Sequence, residues 1–217
     1  MKKIFLLLLI FCLSIYSQTN EFNANSYRSI NGEKLEPAWV YIGEAKRAIK
    51  NGDISYALYL MNKTIMYYPD NADAHYYLAV IYEKEAGEPA EQGGAASYRL
   101  AIEEYKKAIQ LNKNLNVPAY KLDAYFSLLH IYEKLIDEEN YAITEKEIIN
   151  MAENGMNRLE RGRIYFKLAE LYDNRNRNSS AIDFYRQSYL NGYRQKLSLF
   201  RISIIYRKAR NYTQEKE

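Results

Sequence analysis

Cys12, His75 and His130 are the only thiol and imidazole side chains among the 217 residues. A Cys or His zinc site needs three or four such ligands together and a disulfide needs two thiols, so both chemistries are excluded by count. Acid–base work would have to centre on a tight cluster of His130 with Glu133, three residues on, and a neighbouring nucleophile; nothing in the sequence shows one. Asp137-Glu138-Glu139 is a cluster of carboxylates in a turn, which reads as solvated charge. The chain has no glycine-rich phosphate loop, no Gly-x-Ser-x-Gly elbow and no His-Glu-x-x-His. The expectation is a protein that is not an enzyme, with no catalytic residue, no metal and no cofactor.

The elements that would position any site begin after an export signal. Met1-Lys2-Lys3 is basic, Ile4 to Ile15 is an apolar run, and Ile15-Tyr16-Ser17-Gln18 offers a small residue for cleavage after Ser17. The run is too short to span a bilayer comfortably, and the pattern is secretory. Cys12 lies inside the apolar run, behind Phe11, which argues against lipidation; a lipid or signal anchor is the alternative. No later stretch approaches the ~20 apolar residues of a membrane helix. With 48% hydrophobic and 26% charged residues the body has an ordinary folded composition. The reading is a periplasmic protein with nucleic acid excluded as a partner: 1–17 signal peptide, 18–36 flexible leader, 37–217 helical domain.

From Pro37 onward apolar residues recur at spacings of three and four, and polar turns such as Asn51-Gly52-Asp53, Pro69-Asp70-Asn71, Asn154-Gly155 and Asn191-Gly192 separate the segments. Three stretches match: Ala74-His75-Tyr76-Tyr77-Leu78-Ala79-Val80-Ile81-Tyr82, Ala124 to Tyr132, and Ile164 to Tyr172. Leu199 to Tyr206 repeats the scheme. The partner segments match as well, at Ala57-Leu58, Ala101 to Ala108 and Ala181 to Tyr185. This recurrence resembles the tetratricopeptide repeat, a helix–turn–helix unit, over nearly all of Pro37–Tyr212. The resemblance implies an all-α, right-handed solenoid of about four repeats plus a C-terminal capping helix. It also implies that Ala57, Ala79, Ala101, Ala169 and Ala181 let paired helices approach closely, while Tyr82, Tyr132, Tyr172 and Tyr206 fill the space between them. His75 falls on a core-facing aromatic position and is expected to be packed. The third unit departs from the pattern, with Leu129 in place of a small residue and a poorly matched second helix near Tyr141–Glu153.

By the same resemblance the first helices line a concave surface that binds peptides or partner elements. The candidate groove residues are Ile42, Tyr76, Phe126, Phe166 and Phe200, joined by His130. Neighbouring candidates are Asp73, Asp123, Glu133, Arg163 and Arg207. Charge adds a second signal. Gln18 to Met156 carries a net −7 and Asn157 to Glu217 a net +8. Arg163, Arg175, Arg177, Arg194, Arg201, Arg207 and Arg210 are therefore candidates for charge-mediated docking. The expected partner is a protein of the cell envelope, with head-to-tail self-association or peripheral membrane contact as further readings. The envelope assembly would be one for outer-membrane insertion, secretion, the cell wall or a flagellar motor. The alternative function is a carrier that holds a small apolar ligand in the groove, bounded by the Glu85–Ser97 loop.

Overall fold

The computed structural model describes residues 29–30, 33–87, 93–112 and 118–214. Strands β1 (Ser29–Ile30) and β2 (Glu33–Lys34) pair antiparallel, Ser29 opposite Lys34 and Ile30 opposite Glu33. Nine helices follow among the described residues: α1 (Ala38–Asn51), α2 (Ile54–Tyr67), α3 (Ala72–Ala86), α4 (Gly94–Leu111), α5 (Pro118–Lys134), α6 (Glu138–Gly155), α7 (Arg158–Asn174), α8 (Asn178–Leu190) and α9 (Gln195–Gln214). None of them is long and apolar enough to cross a membrane. The expected signal peptide and most of the leader lie outside the described residues. The leader's last residues are docked rather than loose. Leu35 is buried, the Glu36 N–H donates to Tyr41 Oη at 3.1 Å, and Tyr68 Oη donates to the Glu36 carbonyl at 3.0 Å. The expected Glu85–Ser97 loop is shorter than its sequence suggested, because α4 already begins at Gly94.

Helix starts follow local chemistry. The side chains of Asp53, Asn71, Asp137 and Asn157 each accept a hydrogen bond from the backbone N–H three residues on, at 2.9 to 3.1 Å. Each such cap stabilises its helix by about 1 kcal/mol. Between paired helices one residue adopts the left-handed conformation: Gly52 (φ 81°), Ile136 (φ 58°) and Asn176 (φ 55°). The following N–H then returns to the helix, from Asp53 to the Ala48 carbonyl and from Arg177 to the Tyr172 carbonyl, both at 2.9 Å. Glycine and asparagine tolerate this conformation, whereas β-branched Ile136 is strained in it.

The chain divides into two compact units, up to Leu135 and from Ile136. In the first, α1 pairs with α2 and α3 with α4, and α5 packs on α4 and α3. Its core gathers Tyr41, Ile42, Ala45, Ala57, Leu60, Met61, Leu78 and Ile81. In the second, α7 pairs with α8, α9 packs on α8, and α6 packs on α7. Its core holds Phe166, Ala169, Tyr172, Ala181, Ile182, Tyr185 and Ile205. The division separates the two helices of the third repeat, where large Leu129 and Tyr141 stand at the positions that alanines take in the second and fourth.

The small residues behave as the repeat requires: Ala57, Ala79, Ala101, Ala169 and Ala181 are all fully buried. Tyr132 and Tyr172 are buried as well, and Tyr82 is half-buried. Tyr206, expected in the core, is exposed instead and accepts a hydrogen bond from Arg186 Nη2 at 3.2 Å. The second helices contribute a further buried tyrosine that ties the pair together. Tyr105 Oη donates to Glu83 at 2.7 Å, and at the same repeat position Tyr185 Oη donates to Asp173 at 3.2 Å. Burial first, then the neighbouring carboxylate, pushes both phenols well above their ordinary value. These rings are therefore neutral donors at all physiological pH.

Gly162, inside α7, shows how close the packing runs. A β-carbon there would lie 2.8 Å from Tyr193 Cβ and 3.0 Å from Asn191 Cβ, in the turn between α8 and α9. Gly162→Ala should lower the unfolding midpoint, since overpacking costs about 1–3 kcal/mol and outweighs the ~1 kcal/mol of helix propensity gained. Ile136→Asn, which copies Asn176 onto the equivalent turn, should raise the midpoint by about 2–4 °C through relief of about 1 kcal/mol of backbone strain. Thermal unfolding followed by circular dichroism reads both.

Candidate functional site

The candidate groove residues do not share one environment. Ile42 is 8% exposed and Phe166 2%, so both belong to cores and neither offers surface to a partner. The reason lies in the repeat itself. In the second and fourth pairs this position on the first helix faces the second helix: Tyr76 meets the Tyr105 ring edge-on at 5.7 Å, and Phe166 meets Tyr185 at 5.4 Å. Phe166 is sealed further by Tyr193, 5.8 Å away. Tyr76 and Phe126 are half-buried, while His130 is exposed. No second helix follows α9 among the described residues, and Phe200 is 57% exposed.

In the first unit α1 packs on α3 and α3 on α5, so consecutive first helices lie side by side. Tyr76 on α3 and Phe126 on α5 bring half-buried aromatic rings to this layer. Half-buried Asp73, Asp123 and Glu133 supply carboxylates on the same two helices, and His130 an exposed imidazole. Such a surface can hold an apolar side chain against the rings and a cation against the carboxylates.

The arginines of the second unit divide by use. Arg175 lies 4.0 Å over the Tyr141 ring and Arg194 5.3 Å over Phe166, so both cover aromatic core residues. Arg177 reaches Glu138 at 3.8 Å and Arg201 reaches Asp173 at 3.9 Å, geometries of weak, partly solvated pairs. Arg163, Arg207 and Arg210 are exposed. Two arginines outside the candidate set turn out to be structural. Arg158 donates to the Leu190 carbonyl at 2.6 Å, and Arg161 donates to the carbonyls of Ala152 at 3.0 Å, Glu153 at 3.3 Å and Met156 at 3.4 Å. They cap the ends of α8 and α6, where carbonyls lack helical partners. Part of the sequence's basic excess is thus spent on helix termini.

His75 is packed, as expected, and its partners were not foreseen. Its Nδ1 lies 2.5 Å from Glu104 Oε2 and its Nε2 2.8 Å from the Pro69 carbonyl. Lys107 Nζ donates to the other Glu104 oxygen at 2.7 Å. In the fourth repeat the same two positions hold Tyr165 and Phe184, which stack at 6.1 Å, and in the first they hold Tyr41 and Leu60. An ionic pair therefore replaces an apolar one at this point in the core. The signal available in the sequence was Glu104, an acid three residues after Ala101 where the first and fourth repeats are apolar. Among the described residues no group of three or more His, Cys, Asp or Glu could hold a metal ion.

No protein-family model and no curated protein sequence matches the chain. Solved structures do match it. A thermophilic TPR protein of Thermus thermophilus superposes with a TM-score of 0.57 at 17% identity, covering 78% of this chain and 81% of that one. The fold is the tetratricopeptide repeat. The pilF protein of Pseudomonas aeruginosa gives a TM-score of 0.56 at 18% identity, covering 81% of this chain and 70% of that one. Human IFIT1, as a dimer with PPP-AAAA, gives 0.60 at 18% identity over 81% of this chain and 40% of its own, so the chain spans less than half of that protein. In the tetratricopeptide frame the His75–Glu104 pair sits inside the second repeat, away from surface chemistry.

The pair makes the second repeat sensitive to pH. The Glu104 hydrogen bond, opposed by burial, raises His75 above its ordinary value of 6.5. Burial pushes Glu104 up, but the bonds from His75 and Lys107 outweigh it and leave the carboxyl below its ordinary 4.5. Stability from His75 is therefore complete below pH 6.5 and is lost as pH rises through its folded value; that from Glu104 is complete above pH 4.5 and lost on acidification. The unfolding midpoint should peak between these limits and decline toward pH 9. His75→Tyr/Glu104→Leu, the first repeat's combination, should remove the alkaline decline. A midpoint unchanged between about pH 6 and pH 9 in the parent would contradict the assignment.

Proposed function

We propose that this protein is a non-enzymatic scaffold that binds a partner protein of the cell envelope through the first-helix layer of its tetratricopeptide repeats. The observation that carries the reading is the side-by-side placement of α1, α3 and α5, which sets Tyr76, Phe126 and His130 on consecutive first helices. The fold's neighbours and the carboxylates around those rings support it. An apolar segment with a nearby cation is the chemistry this layer suits. Export to the periplasm, with cleavage after Ser17, rests on the leader sequence alone. The small-ligand carrier is less well supported, since Ile42 and Phe166, two of the five residues meant to wall its groove, are core residues.

The test is a crosslinking pull-down from the cell envelope with the parent beside Phe126→Ala/His130→Ala. A single partner recovered by the parent should fall at least about tenfold with the variant, the scale of a lost interface hot spot. Equal recovery would remove the first-helix layer as the site. Export is read separately: N-terminal sequencing of protein from the periplasmic fraction should begin at Gln18. A chain found intact in the cytoplasm would end the envelope reading.

A further inference from the structure

The helices differ in charge in a way that singles out two of them. Counting Lys, Arg, Asp and Glu, α6 carries a net −4 and α9 a net +5, while no other described helix departs from neutrality by more than two. Both belong to the second unit, as its first and last helices in chain order. Between Gln195 and Gln214 there are five cations and no carboxylate. Opposite charge is therefore concentrated on two helices of one unit.

Each of the two also exposes apolar side chains among its charges. On α9, buried Ser198 and Ile205 fix the inner face, and Leu199, Phe200, Ser203, Tyr206, Arg207 and Arg210 stand exposed on the opposite one. The Arg186 bond to Tyr206 and the Arg201–Asp173 pair hold the helix in this rotation. On α6, buried Tyr141, Thr144, Ile148 and Ala152 fix the inner face. Its outer stripe is Glu139, Ile143, Glu147 and Asn150, with Ile143 52% exposed; Lys146 is a cation beside it. The stripes are complementary in kind. One sets aromatic and aliphatic groups beside arginines, the other an isoleucine between glutamates, each over about two or three helical turns.

We propose that the α9 face of one molecule docks on the α6 face of a second copy, head to tail. Phe200 and Leu199 cover Ile143, while Arg207 and Arg210 meet Glu139 and Glu147. Arginine suits this role because its guanidinium pairs with carboxylate in a fixed fork and stacks on rings. The two faces differ, so the contact is heterologous and a pair of copies retains one free face of each kind; copies extend in a row or close into a ring. A membrane fits the α9 face less well, because arginines interrupt its apolar stripe and leave little to embed. The contact uses neither Tyr76, Phe126 nor His130, and stands independently of the partner reading.

The experiment is sedimentation velocity of the protein, expressed with its own leader, across a concentration series at about 20 mM and about 500 mM NaCl. The parent should associate with increasing concentration at low salt and dissociate at high salt. Arg207→Glu/Arg210→Glu and Glu139→Lys/Glu147→Lys should each weaken self-association at least about tenfold, since each sets like charges face to face. Mixed in equal amounts, the two variants should recover the parent's association in alternating order, because the acidic α9 face of one meets the basic α6 face of the other and the native α9 of the second meets the native α6 of the first. Circular dichroism verifies that each is folded, and Phe200→Ser with Ile143→Ser offers an uncharged pair that should weaken association similarly. A parent that stays monomeric at low salt overturns the proposal, whether or not it binds phosphatidylglycerol vesicles or a different acidic protein. So does association that survives both variants, or a mixture that forms no complex.

Discussion

Everything in this fold depends on how closely two helices of a pair can approach. Ala79 with Ala101, and Ala169 with Ala181, leave no side chain to hold the backbones apart, and all four are fully buried. At that distance larger groups on either side of the crossing can interlock: Tyr76 on Tyr105 in one pair, Phe166 on Tyr185 in another. The tyrosine hydroxyls must then find partners within reach, and the carboxylates of Glu83 and Asp173 on the first helices supply them. A buried hydroxyl left without one would cost about 1–3 kcal/mol. Close approach, ring packing and the tyrosine–carboxylate bond are consequences of one another.

The third pair shows what happens when that condition is not met. Leu129 and Tyr141 stand where the other pairs have alanine, and the division into compact units falls between the helices that carry them. Each residue is nevertheless buried, Tyr141 beneath the Arg175 guanidinium. The turn joining the two helices also holds Ile136, 82% exposed and left-handed, at a position where its counterparts are glycine and asparagine. Packing and backbone thus depart from the repeat at the same place.

The repeat was legible in the sequence because its signals are local: alanines and aromatics at fixed spacing, and Asp53, Asn71, Asp137 and Asn157 in the turns. What lay beyond reach was which neighbour each ring would meet. Spacing sets Ile42, Tyr76, Phe126, Phe166 and Phe200 at one repeat position, yet exposure there depends on what covers it, and Tyr193 covers Phe166 from a turn nearly thirty residues away. The arginines illustrate the same limit. Their number was plain, but Arg158 and Arg161 are committed to helix-end carbonyls that only the folded chain brings to them. Glu104 was the clearest missed signal, an acid at a buried repeat position whose counterparts are uncharged, intelligible only once His75 is seen beside it.

If close approach at the alanines is what makes neighbouring helices cooperate, its loss at Leu129 and Tyr141 should divide the chain energetically as well as geometrically. Native-state hydrogen exchange in a series of low urea concentrations measures this directly. The account predicts that amides of α1 to α5 converge on one opening free energy and those of α6 to α9 on another, with the change falling between Lys134 and Glu138. A single opening free energy shared by all nine helices would contradict it.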